Sequence, residues 1–176
     1  SLLLPSPAAS LPTAHVDGRA VEAREAAAKA ASAARAEISF RNGEDVVTVA
    51  ETAAQDYSDT FTSRYRGTKA DAKQGAAEEA GKWAARTARM QGEGEASEVI
   101  RASTAANVTT AHFDGSAVEA REAAAKAASA ARAEISFRNG EDVVTVAETA
   151  SQDYFDTFTS SYRGTKVEAR QGAAEE

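Results

Sequence analysis

The chain has 176 residues, a formal net charge of −7 and no cysteine. An acidic, mixed surface argues against duplex nucleic acid as a partner, because binding to phosphates needs a basic face. The lack of cysteine excludes disulfide scaffolds, thiolate metal sites and cysteine catalysis in this chain. No apolar run reaches the ~18 residues of a membrane-spanning helix, so the sequence predicts no transmembrane segment.

The hydrophobic content is mostly alanine. Leu, Ile, Val and Phe together number 25, which is a low share for a packed globular domain. Alanine favours helix strongly but buries little area. We therefore predict an all-α fold of long helices with thin interfaces.

An internal repeat organises the chain. Residues 13–79 recur at 110–176, 97 positions later, with eight of 67 positions changed. Such identity predicts tandem units, which usually serve length, valency or assembly. We predict unit 1 at 13–91, a polar linker at 92–109 with a possible short helix at 96–103, and a truncated unit 2 at 110–176. Residues 1–12 hold all the prolines and leucines and are predicted to be a flexible flank, with a targeting remnant as the alternative.

The first helix of each unit is predicted at about 17–40 and 114–137. Asp17 and Asp114 would cap these helices, and the preceding Val16 and Phe113 would form hydrophobic staples with Val21 and Val118 in the first turn. An apolar stripe along the first of them would allow another helix to approach closely. The stripe consists of Ala23, Ala27, Ala30, Ala34 and Ile38.

Residues 38–49 allow two interpretations. Asn42-Gly43 between apolar segments is a β-hairpin signal, but apolar residues continue at helical spacing from Val46 to Tyr65. We predict a helical hairpin, because an isolated two-stranded hairpin is only marginally stable. The second helix then covers about 44–66 and 141–163. The third covers about 68–91 and 165–176.

Catalytic and metal motifs are missing from the sequence. His15 and His112 each precede an aspartate by two residues, but a metal site uses three or four ligands. We therefore predict that the aspartates are helix caps and the histidines their exposed neighbours. No Ser-His-acid motif, phosphate loop or metal-spaced Glu/His pair occurs. We predict a non-enzymatic chain with no catalytic, cofactor-binding or metal-binding residue.

An aromatic stripe on the second helix is the first candidate for protein binding. We expect these rings to form the core against the alanine face of the first helix. The alternative is a groove or knob for a partner, since tyrosine is favoured at interface anchors. The stripe comprises Tyr57, Phe61 and Tyr65 in unit 1 and Tyr154, Phe158 and Tyr162 in unit 2.

The second candidate is Trp83 with Lys82, Arg86 and Arg89. A tryptophan among cations is suited to docking on an acidic protein surface. It is equally suited to capping a small core, and the sequence supports both interpretations. Burial of the ring against the first two helices of the unit would place Trp83 in the core.

Near-identical, alanine-rich repeats and the aromatic–arginine segment WAARTAR (83–89) resemble green-algal pyrenoid Rubisco linker repeat proteins. The resemblance covers the architecture and this segment, and it implies binding to Rubisco in the chloroplast pyrenoid. We expect a multivalent scaffold or linker that binds a partner protein, or associates with itself, through repeated weak contacts. The alternative is a stress-protective or lipid-surface protein whose amphipathic helices form at an interface.

Overall fold

The computed structural model describes residues 13–65, 69–160 and 173–174, and the side chains of 20–62, 69–159 and 173–174. Across these residues the only regular secondary structure is α-helix, which confirms the all-α prediction. The helices are α1 (Thr13–Arg41), α2 (Val46–Tyr65), α3 (Lys69–Met90), α4 (Glu95–His112), α5 (Ala117–Arg138) and α6 (Val143–Ser160).

The helices are stacked in chain order. Each helix packs against the next, and four-residue connections at 42–45, 91–94, 113–116 and 139–142 make these neighbours antiparallel. Helix α1 also contacts α3, α2 contacts α4, and α3 contacts α5. The odd-numbered and even-numbered helices therefore form two rows, as is common in helical repeat proteins. We refer to α1–α2 as the first hairpin and to α5–α6 as the second hairpin.

Residues 42–45 join two helices, which confirms the helical hairpin and rules out the β-hairpin there. Gly43 has a φ of 77°, and its N–H donates to the carbonyl of Phe40 at 3.0 Å. This geometry closes a helix C-terminus, and glycine adopts it without strain. Asp45 Oδ1 then accepts the N–H of Thr48 at 2.8 Å and caps α2.

Helix α4 covers the possible short helix at 96–103 and continues to His112, so the prediction of a linker at 92–109 is wrong. The polar side chains that suggested a linker bond instead to the helix backbone. Thr110 Oγ1 donates to the carbonyl of Ala106 at 2.8 Å, and Ser103 Oγ donates to that of Ile100 at 3.0 Å. The buried residues of α4 recur at helical spacing and are Glu98, Val99, Ala102, Ala106, Thr109 and Thr110.

The predicted start of the second copy's first helix at Asp114 is also wrong. Asp114 lies in the preceding turn with a φ of 60°, and α5 begins at Ala117. Ser116 is the N-cap, because its hydroxyl accepts the N–H of Glu119 at 3.1 Å in a capping box. In the first copy this position is Arg19, which has no cap oxygen.

Phe113 does not form the predicted staple with Val118. It is buried in a cluster of α1, α2 and α3 residues, whereas Val118 is exposed. The turn after α4 directs the ring back towards the preceding helices. In the first copy the predicted start at Asp17 is also wrong, because helix α1 begins at Thr13 and runs through this residue. The side chains of Val16 and Asp17 lie outside the described residues.

Helix α3 is the centre of the fold, with α1, α2, α4 and α5 around it. Two glycines allow this crowding. A Cβ on Gly75 would lie 2.1 Å from the Tyr57 hydroxyl, and a Cβ on Gly81 would lie 2.9 Å from Ala127 Cβ and 3.2 Å from the Ala102 carbonyl. The sequence gives Gly75 and Gly81 as weak points of a helix, but here they let neighbouring helices approach.

The remaining predicted segments fall partly outside the described residues. The helices predicted at 44–66 and 68–91 correspond to α2 and α3, and the one at 141–163 begins as α6. Of the helix predicted at 165–176, only 173–174 are described, and both residues are helical. The flank 1–12 lies outside the described residues.

Candidate functional site

Trp83 lies in the core. Its side chain is only 8% exposed and packs with Ala33 and Ala36 of α1 and with Val49 and Ala53 of α2. Because its ring is buried against α1 and α2, Trp83 is part of the core. The expectation of a docking anchor at this ring is therefore corrected, because α1 and α2 already cover it.

The cations around Trp83 cover the rest of the ring. Lys82 Nζ lies 5.6 Å and the Arg86 guanidinium 5.1 Å from the ring centroid. Arg86 also reaches Glu134 of α5 at 3.9 Å. Arg89 is exposed. Two of the three predicted docking cations thus stack on a buried ring, an interaction that stabilises the fold itself.

Glu79 is a buried polar residue that the sequence analysis did not identify. Its carboxylate accepts the Trp83 indole N–H at 3.1 Å and lies 3.5 Å from Lys82 Nζ. A buried carboxylate is stable only with such partners. The spacing of four residues between Glu79 and Trp83 was the available signal, because residues at that spacing are neighbours on a helix.

The aromatic stripe belongs to the core wherever its side chains are described. Tyr57 stacks on Phe61 with ring centroids 6.0 Å apart, and Tyr154 stacks on Phe158 at 6.1 Å. All four rings are buried. Burial, with Glu25, Glu78 and Glu79 nearby, raises the pKa of Tyr57 to about 12. The side chains of Tyr65 and Tyr162 lie outside the described residues.

The two hairpins hold the same internal contacts at equivalent positions. Arg35 Nε donates to Asp56 at 2.9 Å in the first hairpin, and Arg132 Nε donates to Asp153 at 2.6 Å in the second. The hydroxyl pairs Ser39–Thr52 and Ser136–Thr149 lie at 2.9 and 3.0 Å. The two copies therefore fold into the same local structure.

A groove of about 390 Å³ follows α3, with α1 on one side and α5 on the other. We name it the alanine groove, since its walls are formed largely by Ala77, Ala85, Ala123, Ala127 and Ala130 together with Gly81. Walls of small side chains allow a helix or an extended backbone to approach closely. This groove has no local sequence signal, because it forms only when α5 packs beside α3.

The charges of the alanine groove come from both repeat copies. Lys29 on α1 and Lys126 on α5 occupy the same position of the repeated sequence, and both line it. The acidic groups that line it are Glu78, Glu79 and Glu134. Glu79 contacts Trp83 and Lys82, and Glu134 lies near Arg86. Lys82, the third lysine that lines the groove, lies against Glu79 and over the Trp83 ring, so Lys29 and Lys126 are the groove cations best placed to meet an acidic ligand.

The described residues show no group of three or more His, Asp or Glu side chains placed to hold a metal ion. His112 ends α4 and is exposed, with its ring 5.1 Å from that of Phe113. The side chain of His15 lies outside the described residues. None of the described helices combines the length and apolar character needed to cross a membrane.

Comparison of the chain with protein-family models, with curated proteins and with solved structures gives no significant match.

Proposed function

We propose that this chain is a non-enzymatic helical repeat scaffold that binds an acidic helix of a partner protein in the alanine groove. The observation that supports this most is the pair Lys29 and Lys126, two copies of one repeat position that face a single groove. Binding a helix in a groove is a recurrent mode of peptide recognition. Small groove walls provide close packing, and the lysines favour an acidic partner.

In the proposed array, helices α3 and α4 lie between the first and second hairpins in place of the predicted polar linker. Helix α4 packs on both α3 and α5, so the first and second hairpins are joined by packed helix. Alanine grooves in such an array would be held at a fixed spacing. A partner with several acidic helices would then bind with avidity set by the geometry of the array.

Rubisco in a pyrenoid is the partner implied by the sequence resemblance, and we retain it as the first protein to test. The segment 83–89 that carries the resemblance has its tryptophan in the core, so any contact with Rubisco would use the alanine groove. A stress-protective or lipid-surface role is the alternative. Circular dichroism in dilute buffer separates the two functions, because the scaffold requires high helicity and a cooperative thermal transition.

The experiment that tests the scaffold is a differential capture with charge-reversed variants. We compare the parent chain, Lys29→Glu, Lys126→Glu, the double variant and the matched control Lys69→Glu, an exposed lysine outside the groove lining. Proteins from the source lysate that bind the parent and the control but not the double variant are groove partners. Purified Rubisco is then measured directly with all five chains.

We expect each single reversal to weaken binding by about fivefold, or ~1 kcal/mol. The double variant should lose more, and added salt should weaken binding of the parent. Equal binding by the parent and the double variant would remove the alanine groove from the proposal. A chain with low helicity in buffer would favour the alternative function.

A further inference from the structure

The same apolar face is covered in one repeat copy and open in the other. Ile135 on α5 is 2% exposed, whereas Ile38, the equivalent residue on α1, is 40% exposed. Ala120 and Ala131 are buried, but their α1 equivalents are exposed. These α1 residues belong to the stripe Ala23, Ala27, Ala30, Ala34 and Ile38. We call this stripe the open face of α1.

The structure shows which element covers this face when it is occupied. On α5 the face packs against Val99 and Ala102 of α4 and Ala85 of α3. Gly81 of α3 approaches Ala127, another member of the same face. The α3–α4 hairpin, residues 69–112, is therefore the element whose shape fits the face.

Polar contacts between α5 and the α3–α4 hairpin support the same fit. Arg138 Nη2 donates to Glu98 at 2.9 Å, and Asn139 donates to Glu95 at 3.0 Å. Glu119 forms an ion pair with Lys73. Each of these links α5, or the residue that follows it, to the α3–α4 hairpin. Together they fix the register in which the hairpin lies on the face.

The first copy carries the same polar residues. The equivalents of Glu119, Glu134, Arg138 and Asn139 are Glu22, Glu37, Arg41 and Asn42. Both sets are exposed at the rim of the face, so the two copies differ in the contacts of these residues and not in their exposure. In the described part of the chain, Arg41 lies in no ion pair of the kind that Arg138 makes with Glu98. The open face of α1 therefore has the apolar and the charged half of a known interface.

We propose that the open face of α1 is an assembly site for the α3–α4 hairpin of another repeat unit. The occupant is a helical hairpin with the residue pattern of 69–112. Its carboxylates equivalent to Glu95 and Glu98 meet Asn42 and Arg41, and its lysine equivalent to Lys73 meets Glu22. This inference does not depend on the alanine groove, because it concerns how units join and not what they bind.

The test adds a second α3–α4 hairpin to the chain. In the extended chain, residues 69–116 take the place of residues 1–19 and are joined to Ala20. Because Ala20 is the equivalent of Ala117, this recreates the natural junction between Ser116 and Ala117. Melting temperatures are measured for the parent and the extended chain, each with and without Ile38→Asp. Val47→Asp is the matched control, since Val47 is exposed on the same hairpin and its equivalent Val144 is also exposed.

We expect the extended chain to melt at least about 4 °C above the parent. Ile38→Asp should remove this gain in the extended chain and lower the melting temperature of the parent by less than about 4 °C, because much of the side chain is already in water. Val47→Asp should be silent in both. An unchanged melting temperature on extension would overturn the proposal. So would an equal loss from Ile38→Asp in the parent and in the extended chain, since the face would then already be covered in the parent, by residues 1–12 or by a second copy. Size-exclusion chromatography of the parent separates those two occupants.

Discussion

The first and second hairpins have nearly the same sequence and the same internal contacts, yet their outer surfaces differ. Val46 at the start of α2 is 3% exposed, whereas its equivalent Val143 is 85% exposed. The difference is reversed on the other side, where Ile38 is open and Ile135 is covered. The internal contacts of each hairpin therefore follow from its own sequence, whereas the burial of its outer residues depends on which helices pack beside it.

This comparison separates two contributions to stability: contacts within a hairpin and contacts between a hairpin and its neighbours. In repeat proteins, stability is approximately a sum of terms within each unit and terms between neighbours. The contacts shared by both hairpins belong to the first class. Contacts made by only one copy belong to the second, and paired substitutions at equivalent positions measure them separately.

The largest loss of stability is expected from a substitution where α3 covers the first hairpin. Trp83→Ala should destabilise the chain by about 3–5 kcal/mol, because it leaves a cavity beside Val49 and removes the hydrogen bond to the buried Glu79. Urea denaturation measures the change. Trp83→Phe, which keeps most of the ring volume, should cost less. A wild-type denaturation midpoint for Trp83→Ala would place the ring outside the core.

A second pair compares the covered and the open face. Ile135→Ala should cost about 2–4 kcal/mol, since it leaves a cavity under α4. Ile38→Ala should cost less than about 1 kcal/mol, because much of its side chain is already in water. The two variants are compared by the same denaturation experiment. Equal losses would show that α1 is covered in solution as α5 is.

A third pair of variants tests the polar residues at the edge of the same face, and the expected losses of stability are smaller. Arg138→Ala should cost about 1.5–3 kcal/mol, because Glu98 is buried and would lose its charged partner. Arg41→Ala should change stability by less than about 0.5 kcal/mol. Thermal denaturation of both variants at low salt is the measurement. If Glu98→Ala restored no stability to the Arg138→Ala chain, the ion pair would not be the cause.

The smallest effect is expected where the two copies agree. Asp45 and Asp142 each accept a backbone N–H, from Thr48 and Thr145, and this bond lowers the pKa of both carboxyls. Their capping contribution is therefore present above the unfolded pKa of about 4 and is lost as pH falls through the lower folded pKa. Asp45→Asn and Asp142→Asn should weaken this acid dependence equally. Unequal changes in an acid titration followed by circular dichroism would show that the turns differ.

Local signals predicted much of the fold. The helical spacing from Val46 to Tyr65 and the Asn-Gly stop predicted the hairpin, because both act within a few residues. Only the first part of α4 was predicted, as a possible short helix at 96–103. The rest was missed because Ser103 and Thr110 bond their hydroxyl groups to the helix backbone, which composition does not reveal. The start of α5 was missed because Phe113 packs on distant residues and Ser116 is the cap in place of Asp114.

The candidate site was less predictable, for a physical reason. Trp83 and its cations carry the same sequence signature whether the ring faces solvent or the neighbouring helices. The choice depends on how α1 and α2 pack on α3, which is a long-range property. The alanine groove was not predicted at all, because it requires Lys29 and Lys126, 97 positions apart, on both sides of α3.

The burial of Phe113 gives the joint between the hairpins a mechanical character. The ring lies in the turn between α4 and α5 but packs into the cluster formed by the helices before it. Tension that separates α5 from the preceding helices has to extract this ring as well as break the contacts of α5 with α3 and α4. We therefore expect this joint to resist stretching more than the packing of α4 and α5 alone would.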